Sequence, residues 1–291
     1  MNLLLKISFI ISLICNALGT EKKIIPDFRK TSADLELPPL VEGKFGPGIR
    51  TKARNPGDAE GVYHVLYLPS DWKSGRKYPV IVEYAGNGPY RDKKGDESSG
   101  RVEGSKLGYG FSGGKGYIWI CLPYLNSSGT ENVRRWWGDA PEYDPIPTVE
   151  YCKLTVRRIC EKFGGDQKKI VLCGFSRGAI ACNYLGLHND QVAKLWRAFI
   201  PYSHYDGVRK WRYPGSDRKS ALRRLEHLGG RPQLILNERG WDGSSYLEPT
   251  RAYLDEHGAG HGKFTFMDSG FRNHDDSWIL RPSAARFAAR A

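Results

Sequence analysis

Seven short apolar runs recur along the chain: YHVLYLP (63–69), PVIVEYAG (79–86), YIWICLPY (117–124), KIVLCG (169–174), RAFIPYS (197–203), QLILNE (233–238) and KFTFMD (263–268). They are rich in Val, Ile, Phe and Tyr, bounded by turn residues, and short enough for strands. Between the later runs, the segments from Val149 to Phe163, Gly178 to Leu187, Ala193 to Trp196 and Tyr246 to His257 carry apolar residues at helical spacing. Strands alternating with helices predict a mostly parallel sheet with helices on both faces, the α/β class. In such sheets ligands bind outside the carboxyl ends of the strands. The loops from Asn87 to Gly116, Asn126 to Thr148 and Tyr205 to Arg231 follow strand ends on that side and are expected to shape a cleft.

The first residues read differently. MNLLLKISFIISLICNALGT has an early cation at Lys6, an apolar run from Ile7 to Ile14, and small residues at Ala17 and Gly19. This is the pattern of a cleaved secretory signal over residues 1–19, which implies a secreted or periplasmic protein with no stable membrane association after cleavage. An uncleaved anchor is disfavoured by the short apolar run, and a lipidated Cys15 by the bulk of Ile14 before it. Residues 20–59 are rich in Pro, Gly and charge and read as an N-terminal extension lying over a domain that spans 60–291. At 291 residues the chain is long enough to bury a full core.

The formal charge is +12, but the cations are scattered and not interleaved with aromatics in one stripe, so a solvated surface is expected and a nucleic-acid partner is not. Five cysteines follow the signal: Cys121, Cys152, Cys160, Cys173 and Cys182. An odd count leaves at least one thiol free. Cys121 and Cys173 fall in apolar strands and read as small core residues, while Cys152 and Cys160 share one helix too far apart to pair. Their spacings match no metal site.

The chemistry enters at KIVLCGFSRGAIACNYL (169–185), where a strand runs into Gly174-Phe175-Ser176-Arg177-Gly178 and then a helix of small residues. A serine flanked by glycines on a strand-to-helix turn is a nucleophile elbow: the glycines allow close packing and the serine is presented at the tip. A second match to the five-residue pattern, at Gly110 to Gly114, lacks both the strand before and the helix after, so Ser112 is expected in a loop.

A serine hydroxyl needs a histidine to take its proton and a carboxylate to orient that histidine. His257 and His261 precede the last strand and lie at the wrong edge of the sheet; His274, in SGFRNHDDSW, follows it at the right edge. The acid should follow a strand lying between serine and histidine in the chain. Asp242, in RGWDGSS, leads; Glu238, closer to the strand end, and Asp206, after the preceding strand, are the alternatives. An oxyanion hole would use the amide of Arg177 and the loop Gly86-Asn87-Gly88 after an early strand. Trp136, Trp137 and Trp241, with Tyr124, are aromatics at strand ends or in cleft loops, suited to stacking on sugar rings or aromatic acyl groups or, equally, to core packing. Asn126-Ser127-Ser128 matches a glycosylation acceptor.

Serine, acid and histidine in this order, with the glycine-rich loop upstream, resemble the α/β-hydrolase superfamily over roughly residues 60–290. Within it the chain looks most like exported serine esterases of the dienelactone-hydrolase, acetyl-xylan or feruloyl esterase and polyester-depolymerase type. That resemblance implies ester cleavage through an acyl-Ser176 intermediate, a small-molecule or polysaccharide ester as substrate, and no cofactor. Ala179 stands where many such esterases carry a second glycine, and Arg177 is a bulky choice beside the nucleophile, expected to pair with a neighbouring carboxylate or to meet an anionic substrate. A prolyl-oligopeptidase-like peptidase is the enzymatic alternative, and an inactive carbohydrate-binding protein on the same fold is the non-enzymatic one.

Overall fold

A computed structural model of the chain describes residues 25–282, so the segment read as a signal peptide lies outside the described residues. The strands are β1 (Leu40–Glu42), β2 (Arg50–Ala53), β3 (His64–Tyr67), β4 (Tyr78–Tyr84), β5 (Ile118–Leu122), β6 (Gly165–Phe175), β7 (Ala198–Tyr202), β8 (Pro232–Asn237) and β9 (Lys263–Asp268). They form one sheet in the order β1-β2-β3-β5-β4-β6-β7-β8-β9. From β5 to β9 every neighbouring pair is parallel, while β3 runs antiparallel to both β2 and β5. All seven strands expected from the apolar runs are present. Two more, β1 and β2, come from the segment expected to lie over the domain: its later part extends the sheet's edge, while Phe28 packs over one face of the sheet.

The helices are α1 (Leu107–Ser112), α2 (Ile146–Phe163), α3 (Arg177–Tyr184), α4 (Asp190–Ala193), α5 (Arg218–Glu226) and α6 (Glu248–His257). Alternation along each strand sends its side chains into two separate cores. Val80, Val82, Ile118, Ile120, Ile170 and Leu172 pack with α2 to α6, and α2 contributes Val149, Cys152, Val156, Ile159 and Phe163 from one stripe. Ile81, Trp119, Cys121, Cys173 and Phe175 face the other way, against α1, the short helix Asp276–Leu280 and Phe28. The sheet is therefore covered on both faces. The five cysteines among the described residues are buried and free.

Three expectations about local structure need correction. Ser112 does not lie in a loop but ends α1, which stops at Gly113 in the left-handed conformation. A glycine-rich stretch forms this helix because Leu107, Tyr109 and Phe111 bury themselves in the second core. The stretch 205–231 is not structureless: it holds α5, whose start is capped by the Asp217 carboxylate accepting from the Ser220 amide. The helical turn expected at Ala193 to Trp196 lies earlier, at α4, where Asn189 accepts from the amides of Gln191 and Val192.

Inside β4 one charged residue interrupts the apolar run. Glu83 is wholly buried, and its carboxylate accepts from the amides of Lys106, Leu107 and Gly108 and from Trp119 Nε1. Burial, with Asp276 nearby, pushes it up to about 7 against those donors. Four N–H groups on one acceptor fix the start of α1 to the strand that carries the glycine-rich loop.

Candidate active site

The sheet order sets the site out in sequence across its carboxyl edge. The loop Gly86-Asn87-Gly88 leaves β4, Ser176 leaves its neighbour β6, Ser203 leaves β7, Glu238 leaves β8, and the segment carrying His274 follows β9. Ser176 occupies the turn between β6 and α3 with φ +55° and ψ −111°, outside the regions a side-chain-bearing residue normally takes. Two contacts make the turn possible only for glycine at its flanks. A Cβ on Gly174 would overlap the backbone of Gly178, and one on Gly178 would overlap the carbonyl oxygen of Tyr84. The Ser176 amide donates to the Tyr202 carbonyl at 2.9 Å, holding the tip against the next strand.

From Ser176 a relay of hydrogen bonds runs inward. Ser176 Oγ lies 3.1 Å from His274 Nε2, and His274 Nδ1 lies 2.7 Å from Glu238 Oε1. These are hydrogen-bond distances, and a carboxylate that only accepts requires the proton on Nδ1, which leaves Nε2 free to accept from the serine. Burial works to lower the pKa of His274, but the charge and hydrogen bond of Glu238, with Asp96 and Asp275, outweigh it and leave the imidazole above its ordinary 6.5. For Glu238, burial works upward and is outweighed by His274, leaving the carboxyl below its ordinary 4.5.

The acid is thus not the leading candidate from sequence. Asp242 sits at the exposed tip of a turn closed by a bridge between Arg239 and Ser245, and it accepts from the Ser244 amide at 3.0 Å. The turn doubles back at once, so five residues beyond the strand end bring Asp242 to its tip and not to the histidine. Glu238 is the first residue past β8, and its carboxylate is the one His274 reaches. Asp206 is buried and takes both arms of Arg224, at 2.8 and 3.0 Å, well away in role from the relay.

His274 is held on every side. Its amide donates to Asp96 Oδ1 at 2.9 Å and its carbonyl accepts from Glu97 N at 3.3 Å, both on the ribbon formed by Tyr90–Arg91 and Glu97–Ser98. The preceding Asn273 accepts from the amide of Phe28 at 3.0 Å, and Arg272 donates to Asp27, so the N-terminal segment braces the same loop. The rings of Phe175, His204 and Tyr90 surround the imidazole, with centroids 4.8, 5.3 and 6.0 Å away. Burial and the neighbouring His274 hold His204 down to about 4, so it is neutral at physiological pH.

Arg177 overturns the expectation attached to it. Its side chain meets neither a carboxylate nor the cleft: it is 1% exposed, donates to the carbonyls of Trp136 at 2.7 Å, Gly86 at 2.9 Å and Gly100 at 3.4 Å, and lies 3.6 Å from the centroid of Tyr124. Burial lowers its pKa to about 10, still far above neutrality. One planar cation therefore ties two places on the β4–β5 connection, Gly86 of the glycine-rich loop and Gly100, to the loop carrying Trp136. Asn87 Oδ1 accepts from the amide of Trp136 at 2.9 Å, a fourth tie in the same place. The amide of Arg177 itself is at the first position of α3, where a helix supplies no acceptor.

The aromatics divide. Trp137 is fully buried among Tyr184, Tyr124 and Tyr213, so it is a core residue and no part of a binding surface. Trp136, one residue earlier with φ +50°, is half-buried and packs against Trp211 and Tyr213. Trp241 is exposed, with the Arg272 guanidinium 3.7 Å from its ring centroid. Beside the relay lies a cavity of about 370 Å³ lined by Ser203, His204, Arg209, Trp211, Glu238 and Tyr246, among others. Ser203, His204 and Trp211 were not singled out from sequence. The only signal for Ser203 is its place at the end of a predicted strand.

No family model matches the chain, and no curated protein matches it in sequence. Solved structures do. Thermogutta terrifontis esterase 2 phosphoramylated by tabun aligns over 84% of this chain and 91% of its own at 15% identity, with a TM-score of 0.51. An S-formylglutathione hydrolase from Agrobacterium tumefaciens aligns over 77% of this chain and 88% of its own at 13% identity and TM-score 0.49. Porphyromonas gingivalis dipeptidyl peptidase 4 aligns over 77% of this chain but 32% of its own, at 17% identity and TM-score 0.49. The match likewise spans 58% of the length of a thermostable esterase. With a mostly parallel sheet in this order and a serine turn between β6 and α3, the chain has the α/β-hydrolase fold.

Proposed function

We propose that the protein is a serine hydrolase that cleaves carboxylic esters through an acyl-Ser176 intermediate. The observation that carries the reading is the continuous relay from Ser176 Oγ through His274 to Glu238, anchored on a serine held at φ +55°. His274 Nε2 takes the Ser176 proton as Oγ attacks the carbonyl carbon, and Glu238 stabilises the imidazolium that forms. The oxyanion is met by the backbone amides of Arg177 and of the Gly86-Asn87 loop. Collapse breaks the bond to the alkoxide, which leaves with the proton from His274. Water then repeats the attack on the acyl carbon and releases the acid and free Ser176.

For the substrate, the half-buried Trp136 and the cavity wall formed by Trp211, His204 and Tyr246 support an acyl or alcohol group with a flat face, such as a feruloyl ester or an acetylated sugar. Trp241 is left as an exposed aromatic at the rim. The test is labelling by a fluorophosphonate probe in wild type, Ser176→Ala and His274→Ala, followed by acetyl, feruloyl and longer acyl esters beside peptide anilides. Labelling confined to wild type, with turnover of esters over anilides, is the expected result. A folded wild type that takes no label refutes the mechanism, and preferential anilide cleavage refutes the ester class.

A further inference from the structure

Ser203 stands immediately after β7 with φ +89°, a conformation glycine adopts at no steric cost and a serine does not. It is buried, and its amide donates to the Leu236 carbonyl at 2.9 Å, so the backbone is locked there by the sheet. Nothing in the backbone calls for a side chain at this point; glycine would fit it better. What the side chain does is visible in its contacts. Ser203 Oγ lies 3.0 Å from Glu238 Oε1 and 2.6 Å from His274 Nδ1, closing a triangle with the 2.7 Å bond between those two residues.

The protons in this triangle can be placed by what each group is able to do. An ionised carboxylate only accepts, so the single hydroxyl proton of Ser203 goes to Glu238. Oγ then turns a lone pair toward Nδ1, and the Nδ1 proton is shared between Oγ and Oε1. The hydroxyl is therefore a second acceptor for the base and a donor to the acid at once. We infer that Ser203 is a positioning residue of the catalytic relay, fixing the plane of His274 and the rotamer of Glu238 through the Ser203–Glu238–His274 triangle. The inference rests on the esterase reading above for its consequence in turnover, but the triangle exists with or without a substrate.

The discriminating variant is Ser203→Gly, which removes the hydroxyl while relieving the backbone, with Ser203→Ala beside it as the variant that removes the hydroxyl and keeps the strain. In wild type the Nδ1 proton of His274, shielded from water by two acceptors, gives a resolved downfield proton NMR line. In both variants this line is expected to move or broaden as water takes the place of Oγ. With an acetyl ester, kcat falls by about 10- to 100-fold in both variants while KM stays within about twofold, because the lost bond acts on a charge that forms during the reaction. Ser203→Gly melts no lower than wild type. An unchanged NMR line in Ser203→Gly overturns the inference even if the wild type proves inert toward esters, an outcome that refutes only the function. In an active protein, Ser203→Gly with wild-type kcat overturns it as well, and a loss in Ser203→Ala alone assigns the effect to backbone strain and overturns it too.

Discussion

Replacing Glu238 by Gln tests the assignment of the acid most directly, because Asp242, five residues from the end of β8, competes for the same role on sequence grounds. In the transition state His274 becomes an imidazolium 2.7 Å from a carboxylate whose side chain is 6% exposed. Two unit charges with centres about 4 Å apart in a medium of effective dielectric about 20 attract by about 4 kcal/mol. At 1.36 kcal/mol per tenfold, losing that attraction slows acylation by about 10³-fold. Glutamine adds a further penalty, since its amide N–H can donate to Nδ1 and stabilise the tautomer with the proton on Nε2, where the serine needs an acceptor. The assay is kcat for a p-nitrophenyl acyl ester on the pH plateau, with Asp242→Asn in parallel and thermal melts to establish that both fold. Glu238→Gln should fall by about 10³-fold or more with little change in KM, and Asp242→Asn should stay within about twofold of wild type. A Glu238→Gln enzyme within about tenfold of wild type, or a hundredfold loss in Asp242→Asn, would refute the reasoning.

Three more expectations follow from the same geometry. Gly178→Ala places a Cβ on the Tyr84 carbonyl and should cost about 3 kcal/mol, a fall in Tm of about 6–12 °C for a domain of this size, read by calorimetry; an unchanged Tm would show that the elbow can yield. Arg177→Lys replaces a fork spanning three carbonyls with a single ammonium and should lower stability to urea by about 2–4 kcal/mol and kcat together, whereas a purely electrostatic role would leave both intact. Because the pKa of His274 is raised above 6.5, the acidic limb of kcat/KM should lie above pH 6.5, and an acidic limb at or below 6.5 would contradict the pairing. Stability runs the other way. The contribution of His274 is complete below pH 6.5 and is lost as pH rises through its folded value, while that of Glu238 is present above 4.5 and is lost as pH falls through its own.

The central strands were readable because parallel strands buried on both faces are nearly continuous apolar runs, and the loop ends they define locate a carboxyl edge. Ser176 and His274 were readable for the same reason, since Ser176 directly follows one such run and His274 lies six residues past another. Strands β1 and β2 were not, because LVE and RTKA are short and polar-edged, β2 taking its place from pairing with β3 and β1 from pairing with β2. Helix α5, RKSALRRLE, is mostly charged and buries little beyond Ala221 and Leu225, so its only local sign was the Asp217–Ser220 cap. The acid was left open because QLILNERGWD offers two carboxylates, and what separates them is the hairpin between Arg239 and Ser245, a tertiary matter. Trp136 and Trp137 are adjacent and chemically equal; at a backbone turn with φ +50° the first is half-buried against Trp211 and Tyr213 and the second lies in the core. The sequence points Arg177 to a carboxylate or an anionic substrate because nothing in it places three carbonyl oxygens around the guanidinium.

The bond between the Phe28 amide and the Asn273 side chain joins positions 245 residues apart, beside the histidine that the relay depends on. The nucleophile, by contrast, is built from β6, β7 and α3, which follow one another in the chain, packed on β4. Closing the longer loop carries the larger entropic penalty, so contacts of this span are expected late in folding. A refolding chain would then present a formed serine turn before it possesses a seated base, and regain its circular dichroism before its turnover. Chemical competence in this molecule is in that sense a signal that both ends of the domain have met.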